Sequence, residues 1–425
     1  MGVSSDVTRW LAANAVPLDS LDAGHPAADL APLRPVLDGV RIVGLGESTH
    51  GTAEFFRLKH RLLEFLVREL GFGALAMEAS AASAEAVDAY VRYGTGDPVA
   101  ALDRLGFWTW KTYEVLALVE WLREHNRALP EARRVRFVGI DPQRSADSAG
   151  ELHAFLRQVA PERAAAVHAT LRAIGDSTPA GDPEGAGELL DSARQLLAEL
   201  EEARAAHTAT AGAAATDRAI AHARNLVRAA DLAGRSPLGT DGAVEEGSLA
   251  ARDRYMAEAV AELHETTGLR TAVWAHNSHV MTGRYAAGVP AMGRHLRERY
   301  GDDYYALGLL LGKGAFRART GSTRARPPRR HGIGGGGPKS VEGQLAAAHR
   351  GDHLLDLRAA RGEPAVERWL AERHFLRSFG AGVPRFSYRF ELAPTVLAEE
   401  YDGLAYVRRS TCSRPLPLPP EPGSR

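Results

Sequence analysis

The sequence predicts an α/β protein: a mostly parallel central sheet flanked by helices, with a helical insertion and a smaller C-terminal α/β portion. Three observations carry this. Four short apolar runs, RIVGLG (41–46), FGALAM (72–77), RVRFVGI (134–140) and LRTAVWA (269–275), are each followed by polar residues. Helical patterns separate the first three, and strands alternating with amphipathic helices specify parallel pairing with both sheet faces covered. The stretch 147–266 then drops that rhythm and is rich in Ala, Glu and Arg.

The elements follow in chain order. The opening MGVSSDVTRWLAANAV mixes acids and bases around no long apolar core, so it reads as a first helix rather than a secretion signal. Residues 1–34 are expected to form an N-terminal helical segment, and 35–412 one α/β catalytic domain. In 54–70, Phe55, Leu58, Leu62, Leu63, Phe65 and Leu66 recur at helical spacing. Residues 83–93 and 113–126 repeat the pattern. Within 147–266, segments 187–207 and 217–234 read as long helices. A helix near 291–300 and a strand near 303–311 come next, then an Arg-, Gly- and Pro-rich loop, 317–339. Strands are expected at HLLDL (353–357) and GLAYVR (403–408). The end, 413–425, lacks a core-forming pattern and is expected to be a disordered tail.

Composition narrows the class. Of 425 residues, 45% are hydrophobic and 25% charged, and 52 basic residues face 53 acidic ones. That balance gives no footprint for nucleic acid or an anionic membrane. No stretch approaches the apolar length of a membrane span. Cys412 is the sole cysteine, which excludes a disulfide framework or a thiolate zinc site and makes a reducing cytoplasm the default.

In open parallel sheets, ligands bind beyond the carboxyl ends of the strands. The first run delivers Glu47 and His50, the second Glu78, the third Asp141 and Gln143, the fourth His276, Asn277 and His279. A histidine beside a carboxylate makes a general base, because the acid fixes the ring's tautomer and raises its basicity. The same groups suit a divalent metal, although ExxH and HxxH fall here on expected turns. FWTWKTYE (107–114) places Phe107, Trp108, Trp110 and Tyr113 as an aromatic wall for a large ligand, and Lys59 offers a cation. Nucleotide readings fail: GLGEST lacks the third glycine of GxGxxG, and Pro338 interrupts GIGGGGPKS.

GLGESTHGTAEFFRLKHRLLEFLV, LAMEAS, the FWTW segment, VGIDPQ, AHNSHV and MGRHLRERYGDDYYALGLLLG, taken in order, resemble the erythromycin esterase family from about residue 35 to 410. The resemblance implies a deep cleft and hydrolysis of a macrolide lactone by water without a covalent serine intermediate. It makes His50 the general base, Glu47 its partner acid, and Glu78, His276 and His279 further catalytic residues. It matches Lys59 to a basic residue of the family's first helix. Lys59, Trp108, Trp110, Tyr113, Asp141, Gln143 and Asn277 are then the expected substrate contacts. The substrate is expected to be a small-molecule natural product. No cofactor is expected, with a divalent metal at the His/Glu cluster left open. Two other functions use the same residues: a biosynthetic enzyme acting on another natural product or modified peptide, and a metal- or ligand-binding protein without hydrolase activity.

Overall fold

The computed structural model describes residues 5–178, 183–239, 243–285, 287–321 and 327–417. Its strands, in chain order, are β1 (Val16–Pro17), β2 (Ile42–Leu45), β3 (Ala74–Ser80), β4 (Arg136–Asp141), β5 (Thr271–Trp274), β6 (Tyr304–Thr320), β7 (Arg329–Ile333), β8 (His353–Asp356), β9 (Arg373–Leu376), β10 (Gly382–Val383), β11 (Ala393–Val396) and β12 (Gly403–Ser410). Among the described residues, ten of them form one sheet in the order β1-β8-β12-β6-β2-β5-β3-β4, with β7 and β10 added to the far end of β6. Pairing is parallel from β12 through β4, while β8 and β7 run antiparallel to their neighbours. β9 and β11 form a separate small sheet.

Every residue of β2, β3 and β5 is buried, as expected for parallel strands covered on both faces. On one face, helices Ala53–Leu70, Ala84–Tyr93 and Tyr113–Arg127 seal an apolar core with Phe55, Phe56, Leu62, Val87, Leu118 and Leu122. On the other, Met256, Val260, Met292 and Leu296 from helices Ser248–Thr267 and Met292–Tyr300 cover Ile42, Ala76 and Val273. The helices between β4 and β5 hold a core of their own, including Leu152, Ile174, Leu196 and Leu226. The last of them, Ser248–Thr267, returns to the sheet and carries Arg252 and Asp253 to the rim of its parallel strands.

The structure departs from the sequence reading in three places. The strand expected at 303–311 continues to Thr320, and β7 folds back on it, so residues 317–320 and 329–333 of the expected loop 317–339 are paired strands; residues 322–326 lie outside the described ones. The Arg/Gly composition hid a strand whose inner positions, Ala315, Phe316 and Ala318, are buried. The expected tail starts too early: Ser413 donates its N–H to Gly51, and Pro415 bridges to Thr112. Hydrogen bonding to the rim orders 413–417 despite their composition, and residues 418–425 lie outside the described ones. The HNSHV turn is a short helix, Asn277–Val280, capped by His276.

Candidate active site

The ends of β2, β5, β3 and β4 lie side by side, so residues hundreds of positions apart in the chain converge on one rim. Glu47 sits just past β2. Its Oε1 lies 2.8 Å from His50 Nδ1, and its Oε2 accepts from Lys59 Nζ at 2.8 Å. Glu47 is fully buried, and Lys59 supplies the neutralising charge. Lys59 also donates to the Ala275 carbonyl at 3.2 Å and lies 4.6 Å from the Trp274 ring centroid. Burial pushes its ammonium down to about 8, against the opposing pull of Glu47. The two glycines that suggested a phosphate loop serve packing instead. A side chain at Gly44 would overlap the Tyr304 hydroxyl, and one at Gly46 would overlap the Asn277 amide.

Glu78 lies inside β3 rather than after it, at an irregularity where the β3–β4 register shifts between Met77 and Ser80. Such a bulge re-aims a side chain. Here Glu78 accepts from Arg252 Nη2 at 2.8 Å and from the His276 N–H at 3.0 Å, with His279 Nε2 at 3.2 Å. Burial alone would raise its carboxyl, but His279, Arg252 and His50 hold it well below the usual carboxylate range.

His279 is held from the opposite side. Asp253 Oδ1 and the Tyr285 hydroxyl each lie 2.8 Å from its Nδ1. Burial opposes its charge, yet Asp253 and Glu78 raise the ring to about 9. As an imidazolium it directs Nε2–H to Glu78; as a neutral ring it accepts from Arg252 Nη1 at 2.9 Å. Arg252 further binds Asp141 through Nε at 3.2 Å and Nη2 at 2.8 Å. Burial works against its charge, and Asp141 and Glu78 raise it well above its ordinary value. Asp253 also accepts from the Tyr285 hydroxyl and the Met292 N–H, both at 2.9 Å.

His276 is differently committed. Its Nε2 lies 3.2 Å from the Phe379 carbonyl, which requires Nε2–H, and its Nδ1 then accepts from Ser278 Oγ and the Ser278 N–H. Burial, with His50 next in effect, holds it well below the usual imidazole range. The His50 and His276 rings stand 4.9 Å apart, and Trp110 meets His50 edge-on at 6.0 Å.

A cavity of about 420 Å³ opens over this rim, lined by His50, Glu78, Arg252, His276 and His279, by Phe107, Thr109 and Trp110, and by Gln143, Ser278, Tyr285 and the 378–381 segment. His50, Glu78, His276, His279, Trp110 and Gln143 therefore face it as the sequence suggested. Five expected substrate contacts do not. Lys59 is sealed beneath Glu47, since a cation there neutralises a buried acid. Asn277 spends its amide on both backbone groups of Leu309, stitching β5's extension to β6. Asp141 is held behind Arg252. Tyr113 points outward, with Arg414 over its ring. Trp108 lies under the wall and gives its carbonyl to Arg317 Nη2 at 3.2 Å. Sequence reading missed Arg252, Asp253, Tyr285 and the 378–381 strip. No short motif marks them, because each is brought in by tertiary packing.

The residues do not fit a divalent ion. The place a cation would take among Glu78, Asp141 and His279 is filled by the Arg252 guanidinium, and no metal-holding group of His, Cys, Asp or Glu occurs among the described residues.

A histidine–carboxylate pair over a cavity, facing the buried Arg252–His279 pair at the carboxyl rim of a parallel sheet, is an arrangement suited to acid–base chemistry on an α/β scaffold. The erythromycin esterase family profile matches residues 67–410, and the chain belongs to that family. Membership supports an esterase, more broadly a hydrolase, activity. The chain is 26% identical over 305 residues to the erythromycin esterase type II of Escherichia coli, covering 66% of this chain and 71% of that protein. It is 34% identical over 116 residues to the putative hydrolase YbfO of Bacillus subtilis (strain 168), covering 27% of this chain and 25% of that one. Among solved structures, a succinoglycan biosynthesis protein superposes with a TM-score of 0.81 at 24% identity, covering 97% of this chain and 98% of that one. A mutant of the erythromycin esterase EreC in its open conformation superposes at 0.72 with 19% identity, covering 92% and 96%. These two likenesses concern the fold. No described helix is long and apolar enough to cross a membrane.

Proposed function

We propose that this protein hydrolyses an ester or lactone, of the macrolide type or related to it, by a His50-activated water. One observation carries the reading: of the three rim histidines, His50 alone keeps a ring nitrogen free of protein partners among the described residues. Its Nδ1–H is directed at Glu47, which leaves Nε2 as an acceptor on the cavity. His276 and His279 have both nitrogens engaged.

The steps follow from that asymmetry. His50 Nε2 takes a proton from water as the water oxygen bonds to the carbonyl carbon. The developing oxyanion faces the Arg252–His279 side, whose positive charge is held in place before reaction. The tetrahedral centre then releases the alcohol oxygen, which takes the proton back from the His50 imidazolium. One water is consumed, and an acid and an alcohol leave. Lys59 acts one layer back, balancing Glu47. Phe107 and Trp110 give the apolar wall for a bulky substrate, and the cavity falls within the range of roughly 300–1,000 Å³ usual for small-molecule sites.

The test is a mass-spectrometric time course in ¹⁸O-water with a panel of macrolides, simpler lactones and aryl esters, beside His50→Ala. A gain of one labelled water that disappears in the variant is expected. Undiminished turnover by His50→Ala removes the mechanism.

A further inference from the structure

The hairpin of β6 and β7 carries a set of cations that the reaction above does not use. The chain has no acid between Asp303 and Glu342, and none between Glu372 and Glu391. These two stretches form β6, β7, β9 and β10. Arg317 and Arg330 are direct cross-strand partners, and Arg319, two residues along β6, shares the face of Arg317. Like charges placed opposite one another are destabilising. Arg317 is 8% exposed, and a guanidinium does not shed its charge when buried. None of these three arginines has an acid partner among the described residues. Glu114, whose field reaches Arg317, is itself held by Arg414.

Unsatisfied donors occur on two of these arginines and on Trp108, which Arg317 overlies. Arg317 Nε, Arg319 Nε and Trp108 Nε1 are all buried and lack a hydrogen-bond partner. The Arg317 guanidinium carbon lies 5.1 Å from the Trp108 ring centroid. Burying a donor unpaired is unfavourable, so a face of several such donors and three cations is short of acceptors and of negative charge.

Backbone hydrogen bonds and chain continuity join the elements that carry this face to segments that line the cavity. Arg317 donates its N–H to Gly51, the residue after His50, and Arg319 donates to Ala381, which lines the cavity. Trp108 lies between Phe107 and Thr109, which line it too.

We propose that Arg317, Arg319 and Arg330, with the Trp108 indole, form an anion subsite beside the catalytic cavity, and that the ester this protein hydrolyses carries a carboxylate, phosphate or sulfate. The substrate half of this statement rests on the hydrolase reading; the subsite half does not.

The experiment separates them. Inorganic phosphate is titrated by calorimetry into wild type, His50→Ala, Arg330→Gln and Arg317→Gln at low ionic strength, with chloride as the control salt. Saturable binding in wild type and His50→Ala is expected. Arg330→Gln, at an exposed position, should weaken it about tenfold, the effect of one charge-assisted hydrogen bond. Arg317→Gln should abolish it, with circular dichroism reporting whether that variant folds. Absence of saturable binding in wild type, or equal binding in Arg330→Gln, overturns the subsite. For the substrate half, kcat/KM is compared for a matched pair of aryl esters, one ending in a carboxylate and one in a methyl ester. The anionic ester should be preferred about tenfold, with the preference lost in Arg330→Gln and phosphate acting as a competitive inhibitor. Equal turnover of the pair, or phosphate binding without competition, overturns it. If neither ester nor any lactone is turned over, the hydrolase reading fails while the titration still decides the subsite.

Discussion

The two halves of the rim hold their histidines by different means. His50 is fixed from within one local stretch: Glu47 precedes it by three residues, and Lys59 follows on the next helix. His279 is fixed by Arg252, Asp253 and Tyr285, from a helix that ends the insertion and a turn that follows β5. The first half is one acid shared by two bases and leaves a ring nitrogen open. The second is three carboxylates around Arg252 and His279, and it leaves none. The difference separates a group built to move a proton from groups built to hold charge still.

The largest expected effect lies in the first half. His50→Ala should lower turnover by roughly 10²–10⁴-fold, the range of a general base, with an unchanged far-ultraviolet spectrum. A loss of stability of comparable energy is expected in the second. Arg252→Gln leaves Asp141 buried without its cation and Glu78 with His279 alone, and breaking a buried pair costs about 3–5 kcal/mol. Urea denaturation measures this, and an unchanged midpoint would mean that solvent reaches those acids. Glu47→Gln should sit between the halves. It loses activity because the tautomer of His50 is no longer set, and it loses stability because Lys59 is stranded; Glu47→Gln combined with Lys59→Met should recover the stability and not the activity.

A smaller effect distinguishes the halves by pH. The His279 ring is raised from about 6.5 unfolded to about 9 folded. Its stabilisation is fully present below the unfolded value and is lost as pH rises through 9. Lys59 is lowered from 10.5 to about 8, so its burial penalty is fully present below 8 and is relieved as pH rises towards 10.5. Stability should therefore fall between about 6.5 and 9 through one half and rise between about 8 and 10.5 through the other. Asp253→Asn should flatten the fall and Lys59→Met the rise, read from thermal or urea midpoints across that range.

The same division explains what could be read from the sequence. The parallel core was legible because β2, β3 and β5 are continuous apolar runs ending in polar residues, and Glu47, His50, Glu78, His276 and His279 were legible because they follow or end those runs. Arg252 and Asp253 sit on a long helix where charged residues are ordinary, so nothing local singles them out. The far half of β6, KGAFRART, alternates arginine with small residues and so resembles a loop in the sequence. Lys59 and Asn277 were identified as residues of this rim, but chain position alone cannot tell a group that faces the cavity from one sealed a layer beneath it.

In the proposed reaction His50 alone activates the water. The most direct measurement is ¹⁸O incorporation from labelled water into a hydrolysed lactone or ester, comparing wild type, His50→Ala and His279→Ala over time. One label per turnover is expected in wild type, near-complete loss in His50→Ala, and a residual, slower rate in His279→Ala. Full incorporation by His50→Ala would contradict it.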